Sequence, residues 1–597
     1  MGCYLKHIVF FGMAVMTAIS QELSYLPLIP HHQARRRNLI ESGINEGIPR
    51  RRTAAVQVGA LYQGYGTHYV DLWVGTPNPQ RQTLIVDTGS GVTAFPCKEC
   101  SKDCGDGHHV DNAFDEYQSK TFKKSNCDQC MKGSCMDKGK DSEYCKIGMS
   151  YQEGSSWYAF EAKDIAYIGG PHDHGLTQDN GGDSDIDPNH ARAFAFEMTF
   201  GCQTRLTGLF KTQLADGIMG MDIAPTAFHT QMHNANIIPN LGFSLCFTRQ
   251  PTADKEGTEA GAMTMGGYDE RLHKSPLVYT AAPGSGRGFY NVHIRKIYVR
   301  DGSGGEFAQP TTPNAKVIPL NVDEGNLNSG RVIVDSGTTD TYVNRRVAGE
   351  FKKAYTQLTG KEYSHNGMKL TEEELLALPT ILIQLGGNVD ENKRLFPDPT
   401  KVEGLAANLD PSNPYDTLLA IPPSHYMEYD EKQKKYISRF YLDESSGTVL
   451  GANAMMGHDV YFDQEKKHVG WAESDCDYFD LVTNNGFIDT LVPPESSNKI
   501  GKEEFLKPTT TYAGSSSSTS NIHPAIAACN DLTCRGAVAG SVVIILILGV
   551  VVGRALGRRT ETNYGSVNAE TGDFEMPRFS DGSSYKDEPD DTFDDEA

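Results

Sequence analysis

The 597-residue sequence has no surplus of positive charge. It carries 55 Lys and Arg against 77 Asp and Glu, a formal net charge of −22. That balance argues against nucleic-acid binding, which relies on a basic face. The body has no Asn-x-Ser/Thr acceptor, so N-glycosylation is not expected. Helical periodicity is scarce. The stretch "RVAGEFKKAYTQL" at 346–358 is one helical candidate. No strand–helix–strand pattern surrounds the Cys-x2-Cys pairs, which counts against a thioredoxin-like redox site.

Cysteine is present in quantity. "FPCKECSKDCGDGHH" at 95–109 holds three cysteines with His108 and His109, and a second Cys-x2-Cys pair follows at Cys127 and Cys130. The spacing fits zinc, redox chemistry or disulfides alike. The compartment weighs on the choice. Residues 1–20 read as a signal peptide: Lys6 and His7, then "IVFFGMAVMTAI", then a small-x-small site. Residues 536–553 are apolar apart from Ser541 and are followed by Arg554, Arg558 and Arg559. They read as one transmembrane helix with its positive side in the cytosol. The expectation is a single-pass type I membrane protein of the secretory pathway, its body lumenal or extracellular. Loss of the signal removes Cys3 and leaves twelve lumenal cysteines. An even count in an oxidising compartment favours disulfides, with a zinc module as the alternative.

The remaining segments divide by texture. Residues 21–52 carry the runs Arg35–Arg37 and Arg50–Arg52 and read as a propeptide, so the chain reads as a zymogen. Residues 479–535 form a Ser/Thr/Pro-rich stalk. Residues 554–597 read as a disordered cytosolic tail; from Thr560 it has 12 acidic and 2 basic residues. Tyr564 to Val567 fits a Tyr-x-x-apolar sorting signal for an adaptor. Between these, "HYVDLWVGTP", "VHIRKIYV" and "TILIQLGG" alternate in the manner of strands, so the body is mainly β. Segments 172–189 and 301–328 read as surface insertions.

One internal repeat carries the chemistry. "TLIVDTGSGVTAF" at 83–95 and "RVIVDSGTTDTYV" at 331–343 share an apolar run, Asp, a hydroxyl residue and Gly. The body therefore reads as a duplication with one aspartate per half, Asp87 and Asp335. Gly89 and Gly337 permit tight turns, and Ser90 and Thr338 can hydrogen-bond the carboxylates. Two carboxylates facing across a twofold axis share one proton, because like charges a few Å apart resist double ionisation. The ionised member can then take a proton from water, and the protonated member can polarise an amide.

These motifs resemble the pepsin-type (A1) aspartic proteases. The resemblance implies a bilobal, mainly β fold, with an N-terminal lobe at 53–270 and a C-terminal lobe at 271–478. Further matches follow in order: "SYQEGSS" at 150–156 for the flap with Tyr151, "ADGIMGM" at 215–221, "AMTMGGYD" at 262–269, and "TVLGANAMMGHDVYFDQEKKHVGWAESDC" at 448–476. Two positions depart from the family. Ala94 stands where many members have a Trp that bonds the flap tyrosine, and Ala159 replaces a common flap glycine.

Between catalytic loop and flap lie Cys97, Cys100, Cys104, Cys127, Cys130, Cys135 and Cys145. This insert at 97–145 resembles those of nepenthesin-type and plasmepsin V-type proteases. The latter family processes exported secretory proteins after Arg-containing motifs. Carried over, Glu153 in the flap pairs with a substrate arginine. By parity the insert cysteines join Cys202 to make eight, with connectivity open. Cys246 is expected to pair with Cys476, and Cys529 with Cys534. The resemblance implies an aspartic endopeptidase of EC 3.4.23 type, a monomer acting on polypeptides without cofactor or metal. The competing reading is a catalytically silent protease-fold binding or inhibitor protein at a cell surface.

Overall fold

The computed structural model describes residues 68–476 apart from 101–103, 106–107, 137–142, 170–193, 249–259, 283–287, 431–432 and 446, together with the strands Glu22–Leu23, Ala55–Ala60 and Tyr62–Gln63. The expected signal peptide, membrane span, stalk, tail and Cys529–Cys534 pair lie outside the described residues, as does the 172–189 insertion. Among the described residues no helix is long and apolar enough to cross a membrane.

The fold is mainly β and bilobal. In the N-terminal half, His68–Val74 and Gln80–Asp87 pair antiparallel. Both strands are buried almost throughout, which is why their alternation is overlaid by an apolar run. The strand Gly217–Gly220 lies parallel to Gln80–Asp87, with Gly220 opposite Asp87, and antiparallel to Ala94–Pro96. Phe196–Leu206 then runs parallel to Ala94–Pro96. The C-terminal half repeats this wiring. Gly447–Leu450 lies parallel to Arg331–Val334 and antiparallel to Thr341–Asn344, and Phe440–Glu444 runs parallel to Thr341–Asn344. The duplication read from one motif is thus a duplication of topology.

A seven-stranded sheet joins the halves. It orders Glu22–Leu23, Ala55–Ala60, Gly261–Met265, Gly242–Phe247, His458–Asp463, His468–Glu473 and Val278–Ala281. Four strands of the N-terminal half and three of the C-terminal half meet in it where Gly242–Phe247 pairs antiparallel with His458–Asp463, so the sheet is shared by both halves. Cys246 bonds Cys476 on this sheet, as parity suggested. The helical candidate forms as Ala348–Thr359, ending at Gly360 in the left-handed conformation.

Segment 301–328 lies mostly at the surface, as expected, but it is anchored from within. The buried Arg300 donates to the carbonyls of Ala308 at 2.9 Å, Gly305 at 2.9 Å and Phe307 at 2.5 Å. Val317–Pro319 extends the neighbouring sheet, and Ala308, Leu320 and Leu327 are buried. A buried guanidinium needs acceptors, and this segment folds back to supply them.

Candidate active site

Each catalytic loop leaves the end of a buried strand. Gly89 N–H donates to Asp87 Oδ1 at 2.8 Å, and Gly337 N–H donates to Asp335 Oδ1 at 3.0 Å. The hydroxyl of Ser90 donates to Asp87 Oδ2, and that of Thr338 to Asp335 Oδ2 at 2.6 Å. The two donor sets are the same, atom for atom. The two carboxyls are close enough that the Asp335 charge acts on Asp87. Both glycines are required by this approach: a Cβ on Gly89 would lie 2.8 Å from Asp335 Oδ1, and one on Gly337 would run into the Asp87 carboxylate.

A second, deeper lattice locks the loops in register. Thr88 Oγ1 donates to Val334 O at 3.0 Å and accepts from Ser336 N–H at 2.9 Å. Ser336 Oγ donates to Val86 O at 2.8 Å and accepts from Thr88 N–H at 3.1 Å. All these groups are buried, so each hydroxyl is fully employed by the opposite half. The sequence reading passed over Thr88 and Ser336. Their signal was present, since they are the middle residues of "DTG" and "DSG".

Burial pushes the Asp87 carboxyl well above the usual carboxylate range, and the Asp335 charge raises it further. Its bonds from Ser90 and Gly89 pull the other way and lose. The pair can therefore hold one proton at a pH where free aspartate is ionised.

The flap is the hairpin of Tyr144–Ser150 and Ser156–Ile168, with Ser150 opposite Ser156. Tyr151 and Glu153 sit at its turn, and Glu153 is exposed there. The Tyr151 hydroxyl accepts from Trp157 Nε1 at 3.1 Å, and its ring packs on Phe210 at 5.0 Å. Burial, then the Asp87 charge, raises its pKa. Trp157 is the donor that Ala94 cannot supply. The small side chain of Ala94 and the Trp157 ring both pack over Gly201, so the loss at one position makes room for the gain at the other. Ala159 keeps its place, buried opposite Ile147. Replacing Trp157 by Phe removes the donor and keeps the ring. A hydrogen bond of about 1.4 kcal/mol corresponds to about tenfold in rate, so kcat/KM on a peptide should drop by about that factor.

The insert is held by bridges and by polar staples. Cys97 bonds Cys202, Cys100 bonds Cys104, Cys127 bonds Cys135 and Cys130 bonds Cys145. With Cys246–Cys476, every cysteine among the described residues is bridged, which leaves no thiolate there for zinc or for redox chemistry. The buried Glu161, on the long flap strand, accepts from the N–H groups of Met131 at 2.6 Å, Lys132 at 3.1 Å and Gly133 at 2.8 Å. Arg81, near the start of the Asp87 strand, forks onto Asp111 of the insert at 2.9 and 2.7 Å. Asp111 N–H in turn donates to Asp216 of the "ADG" stretch at 2.9 Å. The insert thus braces both the flap strand and the catalytic strand. His108 is exposed, whereas His109 Nε2 bonds Phe210 O at 2.9 Å.

Comparisons with known proteins agree with this geometry. The eukaryotic aspartyl protease model matches residues 194–474, and the xylanase inhibitor N-terminal model matches residues 68–267. Aspartic protease 5 of Toxoplasma gondii is 25% identical over 479 residues, covering 73% of this chain and 39% of that protein. Plasmepsin V of Plasmodium falciparum is 29% identical over 216 residues, covering 34% of this chain and 30% of that protein. A beta-secretase of Strongylocentrotus purpuratus is 24% identical over 425 residues, covering 68% of this chain and 66% of that protein. The chain therefore spans well under half the length of the first two relatives. From the paired loops, the repeated wiring and these matches together, the chain belongs to the pepsin-type family of eukaryotic aspartic proteases, on its plasmepsin V-like side.

Proposed function

We propose that the protein is an aspartic endopeptidase that hydrolyses peptide bonds with a water activated between Asp87 and Asp335. The observation that carries this is the matched donor set on two neighbouring carboxyls, one of them raised by burial and by the other's charge. The ionised carboxylate takes a proton from water, and its protonated partner donates to the scissile carbonyl. Ser90 and Thr338 hold the carboxylates in the plane of the reaction. Tyr151 closes over the substrate. The test is peptide hydrolysis by the wild-type chain against Asp87→Asn.

In the finer reading the enzyme is membrane-anchored in the secretory pathway, and it processes exported proteins at Arg-containing motifs. The likeness to Aspartic protease 5 and Plasmepsin V supports a protease, and the exposed Glu153 at the flap turn offers a carboxylate for a substrate arginine. Glu153→Ala should lower kcat/KM about tenfold for peptides with Arg near the scissile bond, on the scale of a charge-assisted hydrogen bond. An unchanged rate would remove Glu153 from substrate recognition.

The silent-binder reading draws on the match of the N-terminal half to a xylanase inhibitor model. Against it stand the intact "DTGS" and "DSGTT" loops with every hydroxyl engaged.

A further inference from the structure

Met221 N–H donates to Asp87 O at 2.8 Å, and Asp222 N–H donates to Ser90 O at 2.9 Å. The chain leaving Gly217–Gly220 therefore runs alongside the first catalytic loop and delivers Asp222 beside Ser90. The Asp222 carboxylate lies between two glycines. A Cβ on Gly91 would run into its Oδ1, and a Cβ on Gly288 would stand 3.5 Å from its Oδ2. Ile223 N–H donates to Gly288 O at 3.1 Å and fixes that second wall. The carboxylate thus lies against bare backbone, where a side chain at Gly91 would collide with it and one at Gly288 would just touch it.

Its polar contacts are few. Oδ1 accepts from Ala224 N–H at 2.7 Å, and no ion pair reaches the carboxylate among the described residues. Lys132 of the insert acts on it only through its field. Asp222 is half-buried, and burial raises its carboxyl above the usual range. A half-buried carboxylate without a cation is costly, and a cation brought to it recovers that cost. Gly91 is four residues past Asp87. This glycine therefore lies within about 15 Å of the dyad, four Cα–Cα steps of about 3.8 Å each. An extended substrate advances about 3.3 Å per residue, so this reach corresponds to about four residues from the scissile bond.

We infer that Asp222 is a specificity-determining residue that accepts an arginine or lysine side chain of the substrate, at a subsite separate from the flap carboxylate Glu153. The inference rests on the peptidase reading of the cleft. With glycine at 91 and 288, neither residue places a side chain against the carboxylate. The chain supplies the negative charge, and the substrate supplies a cation that no described residue brings to it.

The test uses the full chain and peptide pairs in which each Arg is replaced in turn by citrulline, its neutral isostere. The wild type should favour Arg over citrulline by about tenfold or more in kcat/KM at one position, within about four residues of the cut. Asp222→Asn should bring that ratio close to one, Asp222→Glu should retain most of it, and Glu153→Ala should leave that position's ratio in place. In the wild type the ratio should shrink as acid protonates Asp222 and as salt screens it, which keeps the test decisive if Asp222→Asn fails to fold. Equal ratios in wild type and Asp222→Asn, or no Arg preference outside the position lost in Glu153→Ala, would overturn the assignment. If no peptide of either kind is cut, the peptidase reading fails instead. The ratio of binding affinities for the same pairs then decides the role of Asp222: a tenfold preference sustains it, and equal affinity overturns it.

Discussion

Replacing Asp335 or Asp87 by Asn should abolish peptide hydrolysis, lowering kcat/KM by at least about 10²–10⁴-fold, the range for lost general acid–base catalysis. Asn keeps the size of the side chain and can still accept from Gly89 or Gly337, so the loss falls on proton transfer rather than on folding. The two variants should be equally inactive, because the carboxyls work on one proton and neither supplies half a reaction. The wild-type pH profile follows from the raised Asp87 carboxyl. Its proton is kept above the ordinary carboxylate range and is lost as pH rises through the raised value. Activity should therefore fall on the alkaline side while the fold persists. Assays of kcat/KM across pH, with far-UV circular dichroism on the same samples, check both points.

The second large effect is on stability. Cys97 and Cys202 are fully buried and close a span of 105 residues. Chain-entropy arguments assign about 4.7 kcal/mol to a loop of about 100 residues. The bond sits where Ala94–Pro96 and Phe196–Leu206 run parallel, with Phe95 opposite Cys202, at the point where the insert departs. The double variant Cys97→Ala with Cys202→Ala should lower the melting midpoint of the full chain by on the order of 10 °C. It should also weaken the register of the insert's first turn, where Lys98 N–H donates to Phe114 O. The pair Cys100–Cys104 spans 4 residues, so its removal should cost much less. Equal costs for the two double variants would show that the bridges act through local packing rather than through chain constraint.

What the sequence made legible divides along physical lines. The dyad, its hydroxyl partners and the flap tyrosine were legible because each lies in a short motif whose residues touch one another. Ser90 reaches Asp87 across three positions, and Thr338 reaches Asp335 across three. The mainly β texture was legible for the same reason, since alternation is a local property. The Thr88–Ser336 lattice spans 248 positions, and no spacing rule connects its members. Trp157 was hidden because it answers an absence at Ala94, and the two meet only once Gly201 brings their strands together. The insert's purpose was hidden too. Cysteine parity gave the number of bridges, whereas Arg81, Asp111, Asp216 and Glu161 are charged residues with no motif. Their role as braces emerges only from burial, which forces each to find a partner. Segment 301–328 lies mostly at the surface, as its polar composition suggests, but its anchoring by the buried guanidinium of Arg300 was hidden for the same reason.

The pattern separates two jobs within one chain. The duplicated loops, locked by Thr88 and Ser336, fix the carboxyls. The insert, bonded to the flap strand through Glu161 and to the catalytic strand through Asp111, fixes the surroundings of those carboxyls. A protease with this division can vary its insert without moving its chemistry.

The central claim is that water, and not a side chain of the enzyme, attacks the peptide carbonyl between Asp87 and Asp335. A single turnover of the purified full chain on a peptide in ¹⁸O-labelled water tests it most directly, with mass spectrometry of both product and enzyme. The account predicts one ¹⁸O atom in the newly formed α-carboxylate and none in the enzyme fragments that contain Asp87 and Asp335. Label in either of those carboxyls, or a peptide left uncut, would contradict it.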